Sequence, residues 1–331
     1  FVPVECEDRI LVQGCLLFAS FRVNDKNSCL TFISKHFCRF FVKFCANQRL
    51  SAFGDHAPLL SLGTGLSRHP GCVHARKHER TSNRVHDDVE SGRPSSQGRD
   101  SLWWVWGPAQ AINAGDGLHA LARITVLGLI DKGVSLEKTY RAVSLLDEAC
   151  LKACEGRFRD LEIQERPEVS IEAYQKMASD RSGAILGGAL SIAGLLSGFD
   201  EQKVQWLVQC GEWLGEYFQI QGDLNQIWEA DTTDNVEFLN KKKLYPVVAA
   251  MSKAGPSEKR KLGEVYFKRV LEPEDLATVR EVIEKLGGRE DSIERLKGLR
   301  EKYTSRIYDL SSDENQALSL VNFIDEIEKA K

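Results

Sequence analysis

The chain has 331 residues, of which 42% are hydrophobic, enough to bury a large core in one or two domains. Its net charge of -4 provides no global basic field that would attract nucleic acid or anionic lipid. No uncharged apolar run reaches the roughly 18 residues of an integral membrane segment, and the first residues lack the positive charges of a signal peptide. We therefore expect a cytoplasmic globular protein that binds anions only locally.

The first part of the chain differs in composition from the rest. Six of the nine cysteines and six of the seven histidines precede residue 90. Residues 61–84 show little apolar periodicity, and their basic residues favour a solvated arm over a phosphate-binding loop. We divide the chain into an atypical region over 1–85 and a helical domain over 86–331. Translation from a wrong frame or an unspliced segment is one hypothesis for the first region.

Apolar residues recur at three- and four-residue intervals along the second region, as is typical of amphipathic helices. Pro108 suits the first turn of a helix, and Ser135, Ser170 and Asp200 suit the N-cap position of three more. Strand signals are nearly absent, so we predict an all-α fold with the helices packed as a bundle. The predicted helices cover residues 108–127, 135–156, 170–196, 200–218, 238–252, 257–270, 273–286 and most of the chain from 291.

The third of these helices has an unusual face of small residues. Gly183, Gly187, Gly188 and Gly194 lie among alanines. Each interior glycine costs about 1 kcal/mol relative to alanine, so the face requires a reason. Close packing of a neighbouring helix and space for an apolar ligand are both open explanations.

Two acidic segments lie far apart in the chain. Asp87 and Asp88 follow His86, and Asp223 lies in the segment FQIQGDLNQ. Residues i and i+4 of a helix share a face, so two facing helices with such segments can hold several Mg²⁺ ions. Mg²⁺ ions that bridge carboxylates and a diphosphate would neutralise a leaving diphosphate while an apolar cavity shelters the carbocation. This chemistry is that of ionising an allylic diphosphate.

The segment HDDVESGRPSSQGRDSLWWVWGPAQAINAGD resembles the first aspartate-rich region of the polyprenyl synthetase family, the trans-isoprenyl diphosphate synthases. Further segments resemble later motifs of that family in the same order, over roughly residues 86–331. The resemblance implies an isoprenoid-synthase-type helical bundle around a central apolar cavity, and a homodimer. The later segments are EGRFRDLE, KMASDRSGAILGGAL, FQIQGDLNQIWE and KKKLYPVVAA.

Site residues follow from this resemblance, position by position. It implies that Asp87, Asp88 and Asp223 are the catalytic carboxylates and the Mg²⁺ ligands. It also implies a set of residues that bind the substrate diphosphates. These residues are Arg99, Arg181, Ser182, Gln219 and Lys242.

The same alignment of motifs shows several departures from the family pattern. Three positions that carry carboxylates in the family hold Ser91, Gly222 and Gln226. Arg157 replaces a glutamine, and Ser96 and Gln97 replace an arginine pair. The basic motif for the homoallylic diphosphate is not found upstream. The site is therefore expected to have fewer metal ligands than its relatives.

Three functions are compatible with these motifs. The first is a prenyltransferase that uses Mg²⁺ to join an allylic diphosphate to isopentenyl diphosphate. The second is a terpene synthase-like protein that ionises or cyclises one allylic diphosphate. The third is a non-catalytic subunit or decayed copy of a polyprenyl synthase, because a site without its metals loses its main electrostatic catalyst.

Overall fold

The computed structural model describes residues 82–96, 99–229, 236–272 and 274–310, together with 317–318, 321–322 and 324. Almost all of the predicted atypical region, and with it the wrong-frame hypothesis, lies outside the described residues. The division of the chain at residue 85 therefore stays a prediction. In the part that is described, no helix is both long and apolar enough to cross a membrane.

Helices dominate the described residues, which confirms the predicted all-α fold. A two-stranded antiparallel pairing of Ser95–Ser96 (β1) with Arg99–Asp100 (β2) is the exception within these ranges. The helices are α1 over 82–90, α2 Leu102–Trp106, α3 Pro108–Leu127, α4 Leu136–Glu165, α5 Ile171–Ala178, α6 Ala184–Leu196, α7 Glu201–Trp228, α8 Val236–Leu239, α9 Tyr245–Lys253, α10 Pro256–Tyr266, α11 Asp275–Lys285 and α12 Gly288–Leu310. A 3₁₀ turn spans Ile130–Lys132.

Local capping determines where three long helices begin. The hydroxyl groups of Ser135 and Ser170 accept hydrogen bonds from backbone N–H groups three residues later, at 3.3 and 3.1 Å. The Asp200 carboxylate accepts one from Lys203 N at 2.8 Å. Each bond satisfies an N–H that has no partner inside the helix. The three predicted N-caps are confirmed.

Several helix bounds differ from the predicted ones. Helix α4 continues past Gly156 to Glu165. Helical backbone spans 171–196, close to the predicted helix over 170–196, but a π-helical turn at Ser179–Gly183 separates α5 from α6. The predicted helix over 238–252 is divided into α8 and α9, because Lys241 has a φ of 60° that ends the first of them.

Helix α7 runs through the centre of the bundle. Its buried residues, among them Leu214 and Tyr217, pack with Tyr174 of α5 and Tyr303 of α12 in the largest core cluster. A second cluster joins α3, α4 and α6, and a third joins α9, α10 and α11. Complete burial of an apolar side chain of this size contributes about 1.5–3 kcal/mol, so these clusters hold the helices around the site described below.

The small-residue face of the third predicted helix packs against α7. A Cβ atom built on Gly211 of α7 would lie 2.0 Å from the backbone N of Gly187, and one built on Gly215 would lie 2.1 Å from that of Gly183. A Cβ atom at such a distance would clash with the facing backbone. The two helices can therefore approach this closely only because neither has a side chain at the contact. Close helix packing is thus the explanation that holds for Gly183 and Gly187, while the central apolar cavity stays a prediction.

Candidate active site

A polar pocket of about 340 Å³ opens between the C-terminal end of α1, the C-terminal end of α4 and the π-helical turn. Of the residues predicted from sequence, Asp87, Arg181 and Lys242 line it. Its volume is at the lower end of the roughly 300–1,000 Å³ of ligand pockets, and charged and polar groups dominate its walls. The pocket therefore suits the charged end of a ligand better than an apolar chain. Its remaining walls are formed by Val89, Glu90, Ser91, Gly92, Asp160, Leu161, Gln164 and Asn240.

Arg181 reaches this pocket because its backbone lies directly against α4. A Cβ atom on Gly156 would be only 2.2 Å from Arg181 N, so no larger residue fits there without a shift. Arg181 Nη1 lies 3.1 Å from Asp160 Oδ2, and Nη2 lies 3.4 Å from Asp87 Oδ1. Burial would lower the pKa of Arg181, but the charges of Asp87 and Asp160 raise it above its usual value. Arg181 is thus a permanent cation in the pocket wall.

Lys242 provides a second cation beside the first. It is buried, its Nζ lies 3.4 Å from Asp160 Oδ2, and it forms a close ion pair with Glu237. Glu237 also pairs with Arg93. Burial would raise the pKa of Glu237, but Lys242 and the nearby arginines hold it below its usual value. Asp160 and Glu237 therefore set the positions of the cations that face the pocket.

Asp87 is held by two arginines. Its Oδ1 accepts a hydrogen bond from Arg157 Nε at 2.9 Å and a longer one from Arg181. Burial alone would raise the pKa of Asp87, but the charges of Arg181 and Arg157 outweigh it and lower the pKa. Asp87 is consequently an anion whose charge the protein itself already balances.

Asp88, the next residue of α1, is not among the residues that line the pocket. Burial raises its pKa above the usual value, and the charge of Asp87 adds to this effect. The opposing charges of Arg84 and Arg93 do not fully compensate. The two adjacent aspartates thus have different surroundings, and only Asp87 contributes to the pocket.

Asp223 lies in the bundle core and does not line the pocket. Its Oδ2 accepts hydrogen bonds from the hydroxyl of Tyr174 and from Tyr245 N at 2.7 Å. Its Oδ1 accepts one from Gln219 Nε2 at 3.2 Å. Burial raises its pKa to about 7, and these hydrogen bonds only partly oppose the shift. Asp223 is therefore a hydrogen-bond acceptor that joins α5, α7 and α9.

Of the remaining predicted diphosphate ligands, two are linked to Asp223 by hydrogen bonds, and the side chain of the third lies outside the described residues. Ser182 Oγ donates to Gln219 Oε1 at 3.3 Å, and Gln219 in turn donates to Asp223. Neither Ser182 nor Gln219 lines the pocket. The side chain of Arg99 lies outside the described residues. The roles predicted for Ser182, Gln219 and Arg99 therefore stay predictions.

The structure does not group the three predicted Mg²⁺ ligands as a metal centre, so their metal-binding role stays a prediction. Across the described ranges, no three His, Cys, Asp or Glu residues are grouped as metal ligands. Asp223 uses both carboxylate oxygens within the core, and Asp87 is already paired with arginines. Ser91, Gly222 and Gln226 supply no carboxylate at the other family positions. The described residues thus do not fit a Mg²⁺ cluster formed by Asp87, Asp88 and Asp223.

Two acidic residues of the site were missed in the sequence. Asp160 had a signal, because it ends the segment EGRFRD, which resembles a family motif. Glu237 had none, because its partner Arg93 is 144 residues away in the chain. Only the folded arrangement identifies such a pair.

A family model described as polyprenyl synthetase matches residues 80–286. The chain belongs to the polyprenyl synthetase family. Geranylgeranyl diphosphate synthase of Mycobacterium tuberculosis is 34% identical over 172 residues, which are 51% of this chain and 48% of that protein. The chain spans about half the length of such curated members of the family.

Solved structures of the polyprenyl synthetase family have the same fold. The polyprenyl synthetase from Streptomyces coelicolor A3(2) aligns with a TM-score of 0.68 and 28% identity, covering 80% of this chain and 82% of that one. The geranylgeranyl pyrophosphate synthetase from Pyrococcus horikoshii aligns with a TM-score of 0.75 and 22% identity, covering 86% and 90%. The second likeness, at this identity, concerns the fold alone.

The core position of Asp223 predicts how substitutions there affect stability. Asp223→Asn should lower the free energy of unfolding by about 1 kcal/mol, because the amide oxygen can still accept from Tyr174 and Tyr245 while only the hydrogen bond from Gln219 is lost. Asp223→Ala should cost about 3 kcal/mol or more, since it leaves two buried donors without an acceptor. Urea unfolding measures both, with exposed Gln202→Ala of α7 as the control. Equal losses for the two Asp223 variants would contradict this role.

Proposed function

We propose that this chain is a prenyltransferase that binds the diphosphate of an allylic substrate and joins the allylic group to isopentenyl diphosphate. The observation that carries the proposal is the pair of cations, Arg181 and Lys242, in the wall of one pocket. Membership of the polyprenyl synthetase family supports the same reaction. A guanidinium group can bind a phosphate through two parallel N–H bonds, and an ammonium group adds a point charge.

In this reaction the bond between the allylic carbon and the diphosphate oxygen breaks, and the diphosphate leaves with the electron pair. The double bond of isopentenyl diphosphate then forms the new carbon–carbon bond, and loss of a proton restores a double bond. Arg181 and Lys242 would neutralise the charge that develops on the leaving diphosphate. Asp160 would keep both cations oriented, because it contacts each of them.

Mg²⁺ is the cofactor that the family resemblance implies, and it would neutralise further diphosphate charge if bound. The described residues fit it poorly, because Asp87 is already paired with arginines and Asp223 is hydrogen-bonded within the core. Homodimerisation and a cytoplasmic location remain parts of the proposal. Apolar side chains of α4 that are at least 65% exposed support a protein partner. They are Leu136, Tyr140, Leu151 and Phe158.

The test is turnover by the purified chain with dimethylallyl, geranyl or farnesyl diphosphate, with and without isopentenyl diphosphate, in saturating Mg²⁺. We expect a longer isoprenyl diphosphate and released pyrophosphate only when isopentenyl diphosphate is present. A hydrocarbon or alcohol formed without isopentenyl diphosphate would instead identify a terpene synthase-like activity. No turnover of any allylic diphosphate would refute both enzymatic functions.

A second candidate is a non-catalytic member of the family. It is favoured by the internal pairing of Asp87 and by the three absent carboxylates. Such a protein should bind a homologous synthase subunit in a pull-down assay and remain inactive alone. Turnover by the isolated chain would exclude this candidate.

A further inference from the structure

Arg157 is the most consequential departure from the family pattern in this site. It occupies the glutamine position of the motif in α4, and it is buried, with 8% of its surface exposed. Its Nε donates to Asp87 Oδ1 at 2.9 Å, and its Nη2 donates to the backbone oxygen of Asn83 at 2.7 Å. Arg157 therefore attaches α1 to α4 and binds the first aspartate of the acidic motif.

The side chains around the pocket form an alternating chain of charges. Arg93 pairs with Glu237, Glu237 with Lys242, and Lys242 with Asp160. This series of ion pairs continues from Asp160 to Arg181, then to Asp87 and to Arg157. It ends at Glu90, whose Oε2 lies 3.8 Å from Arg157 Nε. Its four cations and four anions balance. A neutral glutamine at position 157 would leave the anions in excess.

Arg157 also affects how many donors of Arg181 remain for a bound anion. Asp87 is closer to Arg157, at 2.9 Å, than to Arg181, at 3.4 Å. Arg157 is not among the pocket-lining residues, whereas Arg181 is. A guanidinium group has five N–H donors, and the contacts of Arg181 with Asp160 and Asp87 use only part of them. Because Arg157 neutralises Asp87 from outside the pocket, Arg181 keeps donors that can bind an anion inside it.

We propose that Arg157 is a positioning residue that neutralises Asp87 in place of a metal ion, so that the pocket binds a diphosphate through Arg181 and Lys242 without Mg²⁺. This inference rests on the proposed binding of a diphosphate at this site. The residue groups in the described ranges agree with it, because none of them forms a metal centre.

Calorimetric titration of the purified full chain with inorganic pyrophosphate tests the proposal, once in excess EDTA and once in excess Mg²⁺. We expect the two dissociation constants of the unchanged chain to agree within about threefold, because the charge of Arg157 neutralises Asp87 with or without Mg²⁺. Arg157→Gln should weaken binding in EDTA about tenfold or more, as expected for one coupled charge, and Mg²⁺ should restore part of the loss.

Two variants separate the charge of Arg157 from its structural contacts. Arg157→Lys keeps the charge with fewer donors and should retain most of the binding in EDTA. Arg141→Gln is the matched control, because Arg141 is also an arginine of α4 with two acidic partners, Glu148 and Glu201. It should leave both dissociation constants unchanged. If Arg157→Gln does not fold, Asp87→Asn replaces it, and it should tighten binding in EDTA by removing a competing anion.

Pyrophosphate binding that requires Mg²⁺, or no binding in either buffer, would overturn the inference. So would an Arg157→Gln variant that binds as well in EDTA as the unchanged chain, or an Asp87→Asn variant that binds more weakly. The turnover assay tests the proposed enzymatic function independently of the calorimetric titration. Pyrophosphate binding in EDTA without any product would reject the proposed enzymatic function and support the role of Arg157. Product formation together with pyrophosphate binding only in Mg²⁺ would support the enzymatic function and reject the role of Arg157.

Discussion

Gly211→Ala is expected to destabilise the protein by about 3 kcal/mol or more, at or above the upper end of typical overpacking costs. The new Cβ would lie 2.0 Å from Gly187 N and 2.2 Å from Gly187 Cα. Both atoms belong to the backbone, so no side chain can rotate away, and α6 must separate from α7. The gain of about 1 kcal/mol in helix propensity does not compensate.

The same helix contains the matched control. A Cβ on Gly222 would meet no atom within 4 Å, so Gly222→Ala should raise the free energy of unfolding by up to about 1 kcal/mol. Urea denaturation followed by circular dichroism measures both variants. A Gly211→Ala protein as stable as the unchanged chain would show that α6 and α7 are not in backbone contact.

Arg181→Gln is expected to lower kcat/KM for the allylic diphosphate by about 10²–10³-fold, as for the loss of one preorganised donor to a developing anion. Most of the loss should be in kcat, since the charge on the diphosphate grows as the carbon–oxygen bond breaks. Arg181→Lys should lose less, because it keeps the charge but not the two-pronged geometry. Steady-state assays of pyrophosphate release measure both variants.

Arg166→Gln is the control for this prediction. Arg166 is exposed at the end of α4 and pairs with Glu162 one turn earlier. Its replacement should change neither kcat nor KM, because Arg166 does not line the pocket and an exposed pair of this kind adds little to stability. An Arg181→Gln protein with unchanged kcat/KM would place the substrate diphosphate elsewhere.

The helical fold and the helix starts were predictable because their causes are local. The N-caps Ser135, Ser170 and Asp200 bond to residues only three positions later, and the apolar spacing of three and four residues is visible in any helical segment. The family motifs are also local patterns, and they led to Arg181 and Lys242, which line the pocket. A metal centre shared by Asp87 and Asp223 stays a prediction, because the described residues do not group such ligands.

The sequence by itself therefore determined the all-α class, the family and the two cations of the pocket. Only the tertiary structure decided the partners of each charge. Asp223 meets Tyr174 across 49 residues and Arg157 meets Asp87 across 70, and no local rule relates such positions. Whether a carboxylate becomes a metal ligand, a core acceptor or one half of an ion pair depends on which helices pack beside it, because burial and neighbouring charges determine its most stable partner.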